Sequence, residues 1–239
     1  MLDIFLSEDR NTVFREKLVN YKFFYEVKHS AAKANSDIRI YMPEIDRDGY
    51  DVLLDDGEQI VPLQLKTYLS SATTKRWVVN KGLLRPLYLN CQSLGFEFSP
   101  EGNGIEGGLV VVKIIANADE IRSFEWFYSD CYILTAFESG LVTHKPNPHL
   151  DHITSFMSRL RTGYQKEKLE ITKLCMVKVK SIDDLLALAG MPSKKQQQWR
   201  LSFKNSYHSL RMGTISHEER SELTDILQSH IDDPRLTVG

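Results

Sequence analysis

One stretch of the chain gathers residue types that can do chemistry together. Asp46 to Lys66 reads D-R-D-G-Y-D-V-L-L-D-D-G-E-Q-I-V-P-L-Q-L-K and contains an acid at Asp51, a carboxamide at Gln64 and an amine at Lys66. Carboxylate and amide oxygens are hard donors of the kind Mg²⁺ takes, usually beside water and substrate phosphate. A divalent ion so held lowers the pKa of bound water and neutralises developing charge. An amine next to it can position or activate the attacking water, or stabilise the charged oxygens of a phosphorane-like state. Gln64 carries no charge, so an ion at this place depends on Asp51 and on substrate oxygens to complete its shell.

The elements that must position these groups are two short β-like runs. Tyr50 to Leu54 and Ile60 to Thr67 flank an Asp56-Gly57 pair. Asp-Gly between such runs predicts a hairpin with a tight turn, because that turn needs positive φ. Side chains alternate across a strand, so Gln64 and Lys66 share one face while Leu63, Leu65 and Thr67 share the other. Asp51 sits near the start of the neighbouring strand. Pro62 points to an edge or a bulge.

Asp51 followed by Gln64-Leu65-Lys66 resembles the D…(D/E/Q)-x-K signature of the PD-(D/E)xK, or restriction-endonuclease-like, nucleases, in the Gln form found in Mrr-like and transposon-end-cleaving branches. The hairpin context and an upstream helix with glutamates extend the resemblance over roughly residues 10–137. It implies an α/β fold, a mixed sheet of four or five strands flanked by helices. It implies a Mg²⁺- or Mn²⁺-dependent endonuclease that hydrolyses phosphodiester bonds in DNA, in bacterial defence or DNA processing. A homodimer and partner proteins of that setting are implied too. Asp51, Gln64 and Lys66 would be catalytic, with a glutamate from the first helix, Glu16 first and Glu26 second. Asp51, Gln64 and the Leu65 carbonyl would hold the metal. The alternative is an inactive relative that keeps the fold as a DNA-binding or assembly module, and a third reading is an RNA nuclease.

Composition sets bounds on these readings. The chain has 239 residues, 42% hydrophobic and 26% charged, ordinary values for a folded protein. No apolar run suffices to span a bilayer, and the acidic N-terminus lacks a signal-peptide layout, so the expected location is cytoplasmic and no membrane partner is expected. Cys91, Cys131 and Cys175 are odd in number and widely spaced, which predicts reduced thiols. P-loop, Rossmann and G-x-S-x-G signatures are absent. Net charge is -2, yet residues 155–215 hold 12 Lys and Arg against 4 Asp and Glu, a local +8 that leaves -10 elsewhere. A basic surface beside an acidic pocket suits phosphate and cation respectively.

Periodicity predicts a helix from Asn11 to about Ala34 with Val13, Phe14, Leu18, Phe24 and Val27 inward and a break near Lys28. A strand is expected at Ser36 to Pro43, a short strand at Trp77 to Asn80, and a helix at Leu83 to Leu94. A buried strand is expected at Leu109 to Ala116, and further strands at Phe124 to Phe137. His144-Lys-Pro-Asn-Pro148 marks a boundary between a nuclease core, residues 1–143, and a mostly helical basic region, residues 149–239. In that region helices are expected near Leu150–Thr162, Ile182–Ala189, Lys194–Leu210 and Ser216–Ile231, with a strand at Leu174–Val179. Ser181 to Phe203 is similar to a helix-turn-helix, in which Lys194, Lys195, Gln197, Gln198 and Arg200 would line the second helix and meet phosphates and base edges. A generic helical hairpin with a basic face is the competing and favoured reading. His144, His149 and His152 cluster with Asp151 as a weaker zinc candidate, against a polar linker.

Overall fold

The computed structural model describes residues 1–44, 49–73, 76–97, 103–145, 149–195 and 197–239. In chain order the helices and strands are α1 (Leu2–Ser7), α2 (Thr12–Lys33), β1 (Arg39–Tyr41), β2 (Val52–Asp55), β3 (Ile60–Leu69), β4 (Arg76–Asn80), α3 (Lys81–Leu84), β5 (Gly108–Ala116), β6 (Ile121–Asp130), α4 (Cys131–Glu138), β7 (Val142–His144), α5 (Leu150–Arg161), β8 (Lys168–Thr172), β9 (Val177–Val179), α6 (Ile182–Leu188), α7 (Trp199–Met212), α8 (His217–His230) and β10 (Leu236–Val238). The fold is mixed α/β. A six-stranded mixed sheet runs β1-β2-β3-β5-β6-β9, with β3 and β5 parallel and the other neighbours antiparallel. No helix among the described residues is long and apolar enough to cross a membrane.

The predicted hairpin is β2–β3, with Val52 opposite Leu63 and Asp55 opposite Ile60. Its connection is wider than a two-residue turn. Asp56 Oδ1 accepts from the Glu58 and Gln59 N–H groups at 2.9 and 2.8 Å, and Gly57 takes φ 93°. An aspartate that satisfies two turn amides favours this longer loop. β3 then continues to Leu69 beside β5, whose Leu109–Val112 run is fully buried. An unbroken apolar run is what a strand covered on both faces requires.

Alternation separates the two faces of this sheet. Leu63 and Leu65 face α2, whose buried stripe is Val19, Phe23, Val27 and Ala31. Phe23 meets Trp126 of β6 with ring centroids 5.9 Å apart. This stripe repeats every four residues and corrects the expected one in part: Val27 is buried and Leu18 and Phe24 pack against the core, but Val13 and Phe14 are exposed, and α2 runs past Lys28 without a break. Ala34 closes the helix through its N–H, and Asn35 leaves it at φ 53°. The opposite face carries Asp51, Gln64 and Lys66.

Two expected elements differ, and one strand is additional. Leu83–Leu94 is a single short helix followed by 3-10 turns at Tyr88–Asn90 and Gln92–Leu94, because Pro86 forces Arg85 into an extended conformation (φ -90°, ψ 147°). Beyond Asp130 the chain is helical rather than extended, since the Asp130 carboxylate accepts from the Ile133 N–H at 2.8 Å and caps α4. Residues 168–172 form β8, where a strand was not expected.

Strand pairing also crosses the boundary expected at 144–148, of which 146–148 lie outside the described residues. β8 pairs with β4, β9 completes the large sheet beside β6, and β10 pairs with β7. On α6, Asp183 accepts from Ser30 of α2 and pairs with Lys33 at 3.4 Å. The C-terminal region is helical in the main, as expected, but it is woven into the first 143 residues rather than set beside them. Cys91, Cys131 and Cys175 are free and buried.

Candidate functional site

Asp51 stands just ahead of β2 and is tied to β3 twice. Its N–H donates to the Leu63 carbonyl at 2.8 Å, and its Oδ2 accepts from the Leu65 N–H at 2.7 Å. These bonds extend the hairpin one residue beyond its last strand pair and set Asp51 opposite Gln64, on the same face. Gly49 leads into this position at φ 79°, and a Cβ there would lie 2.1 Å from the Asn80 amide nitrogen. Glycine thus allows both the left-handed turn and the close approach of β4.

Gln64 and Lys66 project from β3 into a cleft of about 730 Å³. Gln64 is only 6% exposed, and its amide oxygen is buried with no hydrogen-bond partner among the described residues. A buried acceptor left so costs about 1–3 kcal/mol. Lys66 is half-buried and makes no hydrogen bond or ion pair among the described residues. Leu65 turns its side chain into the core, as the alternation requires.

The far wall of the cleft comes from β4 and from residues 165–168. Val78, Val79 and Asn80 line it, with Gln165, Lys166 and Lys168 above them. The segment before β8 is held by two buried cations. Arg85 donates to the carbonyls of Leu160, Thr162 and Gly163 at 2.6, 2.7 and 2.9 Å. Lys81 donates to the Thr162 carbonyl at 2.9 Å and pairs with Glu167 at 2.5 Å. Burial pulls the Arg85 guanidinium below its ordinary range, with Glu167 opposing, while the hydrogen bond from Lys81 holds the Glu167 carboxyl low. Backbone bonds from Lys81 to Glu167 and from Gly82 to Gln165, at 2.9 and 2.8 Å, complete the clamp. Lys166 and Lys168 stay exposed and unpaired among the described residues, so three lysines face one cleft.

Lys166 and Lys168 lie inside the basic stretch 155–215 but well before Lys194 to Arg200, the residues expected to meet nucleic acid. K-L-E-I-T alternates strictly, with Leu169 and Ile171 buried between outward charges, and that period of two was the available signal for β8.

The other expected site residues lie elsewhere. Glu16 is exposed on α2, which covers the sheet face opposite the cleft, and Glu26 on the same helix pairs with Lys22 at 2.6 Å. Neither lines the cleft. Asp46, where the stretch read above begins, falls outside the described residues. α7 begins only at Trp199, so Lys194, Lys195, Gln197 and Gln198 occupy an exposed connection rather than a helix face. Arg200 is 9% exposed and pairs with buried Asp130 at 2.9 Å. It belongs to the core and cannot serve as a phosphate contact, and the expected helix-turn-helix row is not formed. His144 is buried against Phe137, His149 meets it edge-on at 5.3 Å, and His152 bonds the Thr172 hydroxyl at 3.0 Å. Among the described residues no three His, Cys, Asp or Glu side chains gather as metal ligands.

Comparison of the sequence with family models and with curated proteins found no match.

Proposed function

We propose that the protein is a metal-dependent nuclease of the restriction-endonuclease-like kind, working in the cleft beneath Gln64 and Lys66. The observation that carries this reading is the buried amide oxygen of Gln64, an acceptor with no donor among the described residues, at the strand position opposite Asp51, whose carboxylate is held by the Leu65 N–H. Both are hard oxygen donors and fit Mg²⁺ or Mn²⁺. Such an ion, when bound, would supply an acidified water and charge neutralisation at phosphorus. Asp51 and Gln64 would hold it, with the Leu65 carbonyl a further ligand by resemblance. Lys66 would orient the attacking water or stabilise the non-bridging oxygens. Lys166 and Lys168 would bind phosphates on either side of the scissile bond. DNA is the substrate this reading favours, and defence or DNA processing is its setting.

A second reading keeps the fold and the lysines for binding alone. It is favoured by the lack, among the described residues, of any group of three His, Cys, Asp or Glu side chains that could hold a metal ion. Plasmid cleavage separates the two. Supercoiled DNA should be nicked with Mg²⁺ or Mn²⁺ and left intact in EDTA. Lys66→Ala should slow nicking at least about 100-fold while thermal unfolding stays unchanged. Nicking that persists at the full rate in Lys66→Ala would refute a site at this cleft.

A further inference from the structure

The cleft is not walled by charge alone. Ile60 is 61% exposed and Val78 48% exposed, and both line it together with Pro62 and Leu53. Large aliphatic side chains standing free beside three lysines are a mismatch for duplex DNA. A duplex offers phosphates and sugars outward and keeps its base faces stacked inside, so Ile60 and Val78 would meet nothing apolar on it. An unpaired strand presents phosphates on one side and bare base faces on the other, and apolar side chains take up such faces.

The cleft also continues. A second cavity of about 660 Å³ adjoins it, and Ile60 and Ile105 line both. Ile105 is placed there by close backbone packing, since a Cβ on the preceding Gly104 would lie 2.2 Å from the Gly82 carbonyl oxygen. Beyond this shared ridge lie Arg39, paired with Asp55 at 3.0 Å, Gln59, whose amide nitrogen donates to the Gly190 carbonyl, and the carboxylates of Glu58 and Glu106. Two joined cavities, one cationic and one with mixed polar groups, suit a polymer that passes through rather than a single small molecule.

We infer that this joined groove binds an unpaired DNA strand, with phosphates on Lys66, Lys166 and Lys168 and bases against Ile60 and Val78. The inference rests on the nuclease reading for the polyanion, but it concerns strand state and is measured without cleavage. The full chain would be titrated, in EDTA and separately in Ca²⁺, against a fluorescein-labelled oligodeoxynucleotide, single-stranded or annealed to its complement. Anisotropy should give at least about tenfold tighter binding of the single strand. The double variant Ile60→Glu/Val78→Glu, at two exposed positions, should remove most of that preference while leaving the melting temperature unchanged. Equal or tighter binding of the duplex, no binding of either, or an undiminished preference in the folded variant would overturn the inference. If strand preference fails while metal-dependent nicking is lost in Lys66→Ala, the nuclease reading stands and only its substrate changes. If nicking fails while strand preference holds, the groove is a binding site alone.

Discussion

Arg200 and Gln64 are two polar side chains at similar burial with opposite surroundings. The Arg200 guanidinium donates to Asp130, to the Tyr128 hydroxyl at 3.3 Å and to the Leu188 carbonyl at 3.1 Å, and it lies 4.9 Å over the Tyr132 ring. Burial raises the pKa of Asp130, and Arg200 offsets only part of that rise. Removing one member strands the other, so Arg200→Met should lose about 3–5 kcal/mol in urea unfolding, and Arg200→Met/Asp130→Asn should lose less than the single change. The Gln64 amide oxygen has no such partner among the described residues. Residue types alone do not draw this distinction. Lys194, Lys195 and Arg200 look equivalent in the sequence, and only packing sends the third into the core. That Asp51, Gln64 and Lys66 share one face was legible because a period of two fixes which strand neighbours point the same way.

At the scale of elements, legibility followed local signals. The hairpin, α2, β5, α5, α6 and α8 carry their own periodicity or caps, such as the Ser216–Glu219 capping box of α8. α4 was hidden because its sequence, C-Y-I-L-T-A-F-E, is a short, almost wholly apolar run buried from Cys131 to Phe137, which cannot be told from a buried strand by its pattern alone. β7 and β10 were hidden because short strands far apart in the chain give no local sign of pairing. That pairing encloses His144, whose pKa is pushed down to about 4 by burial first and by His149 and Arg235 next. A folded-state pKa below the unfolded value of about 6.5 means that the unfolded chain takes the proton first as pH falls. Stability should therefore be level above pH 6.5 and drop progressively as pH falls toward 4. His144→Phe should flatten that drop in thermal melts at a series of pH values, since the ring stacks on Phe137 in either case.

For the whole molecule, strands from residues after 149 enter all three sheets, and that interweaving was not readable in a Pro-rich segment resembling a linker. A fragment ending at Thr143 would leave β4 without β8 and the outer edge of β6 without β9. It should show no cooperative thermal transition and should be digested by trypsin far faster than the full chain. The sidedness of the sheet and the charge excess of the C-terminal half were both apparent from the sequence. Which lysines of that half reach the cleft was not, because the answer depends on a strand pairing that spans Arg76 to Thr172. The same pairing bears on how the protein is made. Asp51, Gln64 and Lys66 leave the ribosome long before Gln165, Lys166 and Lys168, yet the cleft needs both sets. A nascent chain would carry the hairpin without the lysines of its opposite wall until residue 168 had been translated, so any activity of the cleft would be withheld until that point.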